Sequence, residues 1–91
     1  MVILSDLEPG GGSGEEPYSL PADVEFVMVL AGQLEIVIEG ERVTLDEGDA
    51  FTFPAAAAHS FTAPGAGRTR VLWVVSPALP DTTRYPGSGD R

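Results

Sequence analysis

The chain is 91 residues long, 43% hydrophobic and 21% charged, with a formal charge of −9. That describes one small globular domain, residues 1–91, and a surface so acidic repels nucleic-acid phosphates and anionic membranes. Cysteine and lysine are both absent, all five cations being arginines, which excludes disulfides, thiolate nucleophiles, Cys-based zinc sites and lysine Schiff bases. A domain this short buries only about 60–65% of its unfolded surface, so it needs a compact core or a partner subunit.

Met1 to Leu7 carries Val2, Ile3 and Leu4, enough for a short strand. The opening M-V-I-L-S-D lacks a basic n-region, so no secretory signal is expected. No apolar run approaches the roughly 18–20 residues of a membrane span. The expectation is a soluble cytoplasmic protein.

Residues 8–17, E-P-G-G-G-S-G-E-E-P, hold too much glycine and proline for regular structure. The segment reads either as a flexible linker or as a loop leading into a strand, the apolar flanks favouring the loop at least equally. Tyr18 to Leu20 is a short extended piece stopped by Pro21.

Val24 to Leu30 is dense in large apolar and β-branched residues on both faces. Such a strand is buried on both sides, or buries one face in the core and the other in a dimer contact. After Ala31-Gly32, the stretch Gln33 to Glu39 alternates, with Leu34, Ile36 and Ile38 on one side. That is the period-2 pattern of a half-buried strand. Glu39-Gly40-Glu41 predicts a hairpin turn into Arg42–Leu45.

Asp46-Glu47-Gly48-Asp49 is another turn, followed by a strand with Phe51 and Phe53 on one face and Pro54 as its stop. Ala55 to Ala58 has helical propensity, but four residues after a proline are too few to nucleate a helix. His59, Phe61 and Ala63 share a face of the next strand. Arg70 to Ser76 is the last strong strand, with Val71, Trp73 and Val75 on one side. Residues 77–91 read as a Pro/Gly-rich tail, ordered and then frayed. Seven or eight short strands with turn residues between them predict a β-sandwich or barrel without a useful helix.

The central spacing is specific. Six residues separate Glu25 from Gly32, five separate Gly48 from Pro54, and His59 is the fifth residue after Pro54. This resembles the two motifs of the cupin superfamily, G-x5-H-x-H-x(3,4)-E-x6-G and G-x5-P-x-G-x2-H-x3-N, over residues 18–76. The flavour of P-Y-S-x-P, E-F-V-M-V-L-A-G-Q-L-E, G-D-A-F-T-F-P and V-L-W-V-V-S-P resembles the C-terminal sensor cupins of helix-turn-helix regulators in bacteria. The resemblance implies an all-β jelly-roll (double-stranded β-helix) barrel.

In metal-holding members the ligands are two histidines, a glutamate and a third histidine. The resemblance places Tyr18 and Leu20 at the first two positions, and Glu25 and His59 at the others. Ala56 and Ala63 replace the second motif's glycine and asparagine. Two of four ligands remain, and catalytic metal sites ordinarily use three protein donors and an open position. The expectation is no resident cofactor and at most a weak divalent metal at Glu25 and His59.

The predicted ligand-binding set is Tyr18, Leu20, Glu25, Phe51, Phe53, His59, Phe61 and Trp73, with at least half of Phe51, Phe53, Phe61 and Trp73 being ordinary core in the plainer reading. The acids at Glu15, Glu16, Glu35, Glu39, Glu41, Asp46 and Glu47 lack a calcium-loop pattern. Two functions are expected in competition, beside a third possibility of a purely structural dimer with a filled barrel and no ligand. One is a binding or sensor module for a small ligand. The other is a small cupin enzyme of dioxygenase, isomerase or decarboxylase type. A homodimer is expected, without direct nucleic-acid or membrane contact.

Overall fold

A computed structural model describes residues 1–79 of the chain. Among them are seven strands: β1 (Val2–Leu7), β2 (Val24–Ala31), β3 (Gln33–Ile38), β4 (Glu41–Asp46), β5 (Ala50–Pro54), β6 (His59–Thr62) and β7 (Thr69–Ser76). They form a four-stranded sheet in the order β1-β7-β2-β5 and a three-stranded sheet in the order β4-β3-β6, with every pairing antiparallel. The described residues contain no helix, so none crosses a membrane as one.

Alternation along the strands decides what lies between the sheets. Val27 and Val29 of β2, Phe53 of β5, and Val71, Trp73 and Val75 of β7 point inward. They meet Leu34 and Ile36 of β3, Leu45 of β4 and Phe61 of β6 in one apolar cluster. The Phe61 and Trp73 rings, 4.8 Å apart, tie one sheet to the other. A buried indole needs a partner for its N–H, and Trp73 Nε1 donates to Ser5 Oγ at 3.1 Å.

The turns follow their residues. Glu39 and Gly40 both take positive φ, 50° and 84°, as the tightest hairpin turns require, and Ile38 then pairs with Glu41. Residues 55–58 form a turn rather than a helix, Ala57 N–H donating to the Pro54 carbonyl at 3.0 Å. The glycine-rich stretch is no free linker. Gly10 N–H donates to the Ala63 carbonyl, Ala63 N–H to the Gly11 carbonyl and Ser13 N–H to the Phe61 carbonyl, at 2.8, 2.8 and 3.0 Å. The loop thus runs along β6 and satisfies its edge. Tyr18 to Leu20 contributes a single bridge, Tyr18 to His59, rather than a strand. Of the tail, Leu79 is buried in the core cluster, and everything from residue 80 lies outside the described residues.

The strand Val24–Ala31 is apolar on both faces as its sequence predicts, but only the inner face enters the core. On the outer face, Val2, Val74 and Phe26 form one row across β1, β7 and β2, and Leu4, Leu72 and Met28 form the next. Val2 and Leu4 are 67% and 52% exposed.

Candidate functional site

Glu25 shares the inward-facing alternation of Val27 and Val29, so β2 carries a carboxylate into the core. Its neighbours in register are Phe53 on β5 and Val75 on β7. His59 opens β6 opposite Ile38 of β3. The two sheets therefore bring an acid and an imidazole face to face, with Glu25 fully buried and His59 1% exposed.

The imidazole is oriented from behind. His59 Nδ1 lies 2.6 Å from the Ala57 carbonyl. A carbonyl only accepts, so Nδ1 carries the hydrogen and Nε2 faces Glu25. Nε2 and Glu25 Oε1 are 3.2 Å apart. The distance suits a hydrogen bond once a proton lies between them, and among the described residues no other group completes the bonding of Nε2 or of either Glu25 oxygen. Leaving a buried polar group without a partner costs about 1–3 kcal/mol, more when it is charged. Burial pushes the Glu25 carboxyl above the usual carboxylate range, and the nearby His59 opposes this only in part.

Aromatic rings close around the imidazole. Tyr18 lies 4.3 Å from it and Phe53 4.8 Å, centroid to centroid. Phe51, half-buried, stacks on Phe53 at 6.0 Å, and Phe61 meets Tyr18 edge-on at 6.5 Å. Burial, reinforced by the Glu25 carboxylate, raises the Tyr18 phenol well above its ordinary range, so it stays protonated. Leu20 is buried and offers no donor atom. Of the residues singled out in the sequence, Tyr18, Phe53 and Glu25 thus converge on His59. Phe51 and Phe61 stand behind that first ring of contacts, and the Trp73 indole N–H turns to Ser5.

The donor set does not fit the metal held by the family's four-ligand members. Two side chains of the right type are present, the phenol is neutral, and the described residues contain no group of three or more His, Cys, Asp and Glu placed to hold a metal ion.

Two contributors escape a reading of side-chain types. The Ala57 carbonyl sets the imidazole tautomer, and a backbone group leaves no trace in the sequence. Gly12 occupies the first glycine of the first motif, six residues before Tyr18. A Cβ there would collide with the Phe61 carbonyl oxygen, and the motif spacing was the signal that could have singled it out.

Two packed antiparallel sheets with an inward carboxylate and imidazole define a small jelly-roll barrel protein. The chain belongs to the cupin-domain family: the Cupin_2 family model matches residues 3–75. It is similar to quercetin 2,3-dioxygenase of Bacillus subtilis (strain 168), with 38% identity over 63 residues. That match takes in 67% of this chain and 17% of the relative, so the chain spans a small part of that protein's length. Among solved structures it resembles a cupin-superfamily sugar phosphate isomerase from Silicibacter pomeroyi, with TM-score 0.70 and 29% identity, covering 89% of this chain and 56% of that one. It also resembles the Cupin_2 domain of an XRE family transcriptional regulator from Enterobacter cloacae, with TM-score 0.67 and 26% identity, covering 77% and 73%.

Proposed function

We propose that this chain is a binding module, its barrel taking a small ligand at Glu25 and His59 without a resident metal. One observation carries the reading: a buried carboxylate and a buried imidazole face each other with three polar atoms that no other group among the described residues satisfies. A purely structural core gains from replacing such a pair with apolar residues, whereas a binding site keeps it to meet a ligand's polar end. The aromatic and aliphatic side chains around it supply the apolar contact that small-ligand sites ordinarily have. The likeness to a regulator's cupin domain agrees with a sensing role.

A second reading, a small enzyme using Glu25 and His59 as an acid–base pair, has in its favour the 38% identity to a dioxygenase and the likeness to a sugar phosphate isomerase. Fold alone does not separate the two. The test is a thermal-shift screen of the purified chain against small metabolites, with Glu25→Gln as control and product analysis of every hit. A compound that stabilises the chain unchanged, and binds Glu25→Gln at least ten-fold more weakly, supports the binding module. Turnover of the hit establishes the enzyme, and a screen without hits removes the support for a ligand site.

A further inference from the structure

We infer that the polar end of the ligand is a hydrogen-bond donor, a hydroxyl or an ammonium, carried on an apolar body, and that carboxylates and phosphates are refused. This rests on the reading of Glu25 and His59 as a binding site and adds the chemistry of what that site takes.

The argument is a count of donors and acceptors. His59 Nδ1–H is committed to the Ala57 carbonyl at 2.6 Å. The neutral ring therefore turns only a lone pair, on Nε2, toward Glu25. An ionised Glu25 adds acceptors alone. If the pair holds one further proton, its nearest resting place is between Glu25 Oε1 and Nε2, 3.2 Å apart. Glu25 Oε2 then still presents an acceptor. With no shared proton or with one, the pair offers acceptors to whatever enters, and a ligand must bring the hydrogen.

The charges agree. Arg42, Arg68 and Arg70, the arginines within the described residues, all lie at the surface. They face Glu35, Glu8 and Asp6 there, at 3.4, 3.7 and 2.9 Å. None reaches Glu25, so a bound anion would meet a carboxyl group with no arginine among the described residues to offset it. The Tyr18 hydroxyl is the group beside the pair able to donate as well as accept, and a single phenol does not neutralise an anion. The Tyr18 and Phe53 rings flanking His59 suit a flat or compact apolar body behind the donor head.

The experiment uses the whole, tag-free, 15N-labelled chain, in which His59 gives the only imidazole signals. Long-range nitrogen–proton correlation of the free protein should show hydrogen on Nδ1 and a pyridine-like Nε2. Benzyl alcohol and benzylammonium are then titrated beside benzoate and phenyl phosphate, which share the ring and differ in the head. The expected result is saturable movement of the Nε2 resonance with the alcohol or the ammonium, at least ten-fold tighter than with either anion. Equal or tighter binding of an anion, or an Nε2–H tautomer in the free protein, overturns the donor rule while leaving the binding site standing. If no probe moves His59, the binding reading falls and the donor rule with it.

Discussion

Tyr18 and His59 are clamped together: Tyr18 N–H donates to the His59 carbonyl at 2.8 Å, His59 N–H returns a bond to the Tyr18 carbonyl at 2.9 Å, and their rings lie 4.3 Å apart. The bridge fastens the segment ahead of β2 onto β6 and fills with a phenol ring one of the positions that metal-holding family members give to histidine.

The purified chain should hold well under one equivalent of any divalent metal, and a chelator should leave its melting temperature unchanged. A tight site would stabilise by mass action and reveal itself on chelation. Restoring the family's residues with Tyr18→His and Leu20→His together should create a chain that retains zinc through dialysis. Elemental analysis reads both chains, and one firmly held metal per wild-type chain would contradict the account.

Gly12 of the glycine-rich loop should be sensitive to substitution and Gly65, in the loop between β6 and β7, indifferent. Gly12→Ala puts a methyl group onto the Phe61 carbonyl and the Thr62 backbone, an overpacking worth about 1–3 kcal/mol of destabilisation. A Cβ at Gly65 meets nothing within 4 Å, so Gly65→Ala should stay within about 0.5 kcal/mol of wild type. Urea melts of the two variants decide it, and equal stabilities would mean that the glycine-rich loop does not lie along β6.

That contrast also marks what the sequence makes legible. In the sequence β2 is apolar on both faces and only the motif spacing argues that Glu25 turns inward, whereas alternation reveals the inward faces of β3 and β7, because a strand's period is a local property. The glycine-rich loop is ambiguous for the opposite reason: its partners, Phe61 and Ala63, lie some fifty residues away, and composition says nothing about distant pairing. The same holds for the site. Motif spacing singles out Glu25 and His59, but the 3.2 Å approach, the Ala57 carbonyl behind the imidazole and the placement of Phe51 behind Phe53 depend on two sheets closing on each other.

The outer face of the four-stranded sheet should join two chains. Four strands about 4.8 Å apart and up to eight residues long, at about 3.3 Å per residue, make a face of about 500 Å², so a pair of chains buries about 1,000 Å². That is the weak end of specific interfaces, which predicts association in the micromolar range. A second copy is the occupant favoured by the apolar, locally charge-matched character of the face. Two chains of −9 repel each other, but this face offers the Val2, Val74, Phe26 and Leu4, Leu72, Met28 rows, and Arg70 beside them is matched by Asp6 at 2.9 Å. Light scattering should give a dimer at high micromolar concentration and a monomer for Leu4→Glu with Leu72→Glu. A wild-type monomer under those conditions would contradict this.

The central claim is that Glu25 is kept in the core for binding, at the expense of stability, and melting curves of Glu25→Gln and wild type between pH 4 and 8 test it most directly. The sign follows from the raised carboxyl. The folded chain holds the Glu25 proton more tightly than the unfolded chain, so the acid's contribution is fully present below the unfolded value and is lost as pH rises through the folded one. The amide has nearly the same shape and never ionises. The account predicts that Glu25→Gln matches wild type near pH 4 and melts higher near pH 7–8. Each 1 kcal/mol gained appears as about 4–8 °C in a domain of this size, and the small ligands found for the wild type bind the variant more weakly. A variant that melts lower at pH 7–8 would show that the Glu25 charge holds the barrel together, through His59 or a bound cation, and would contradict the account.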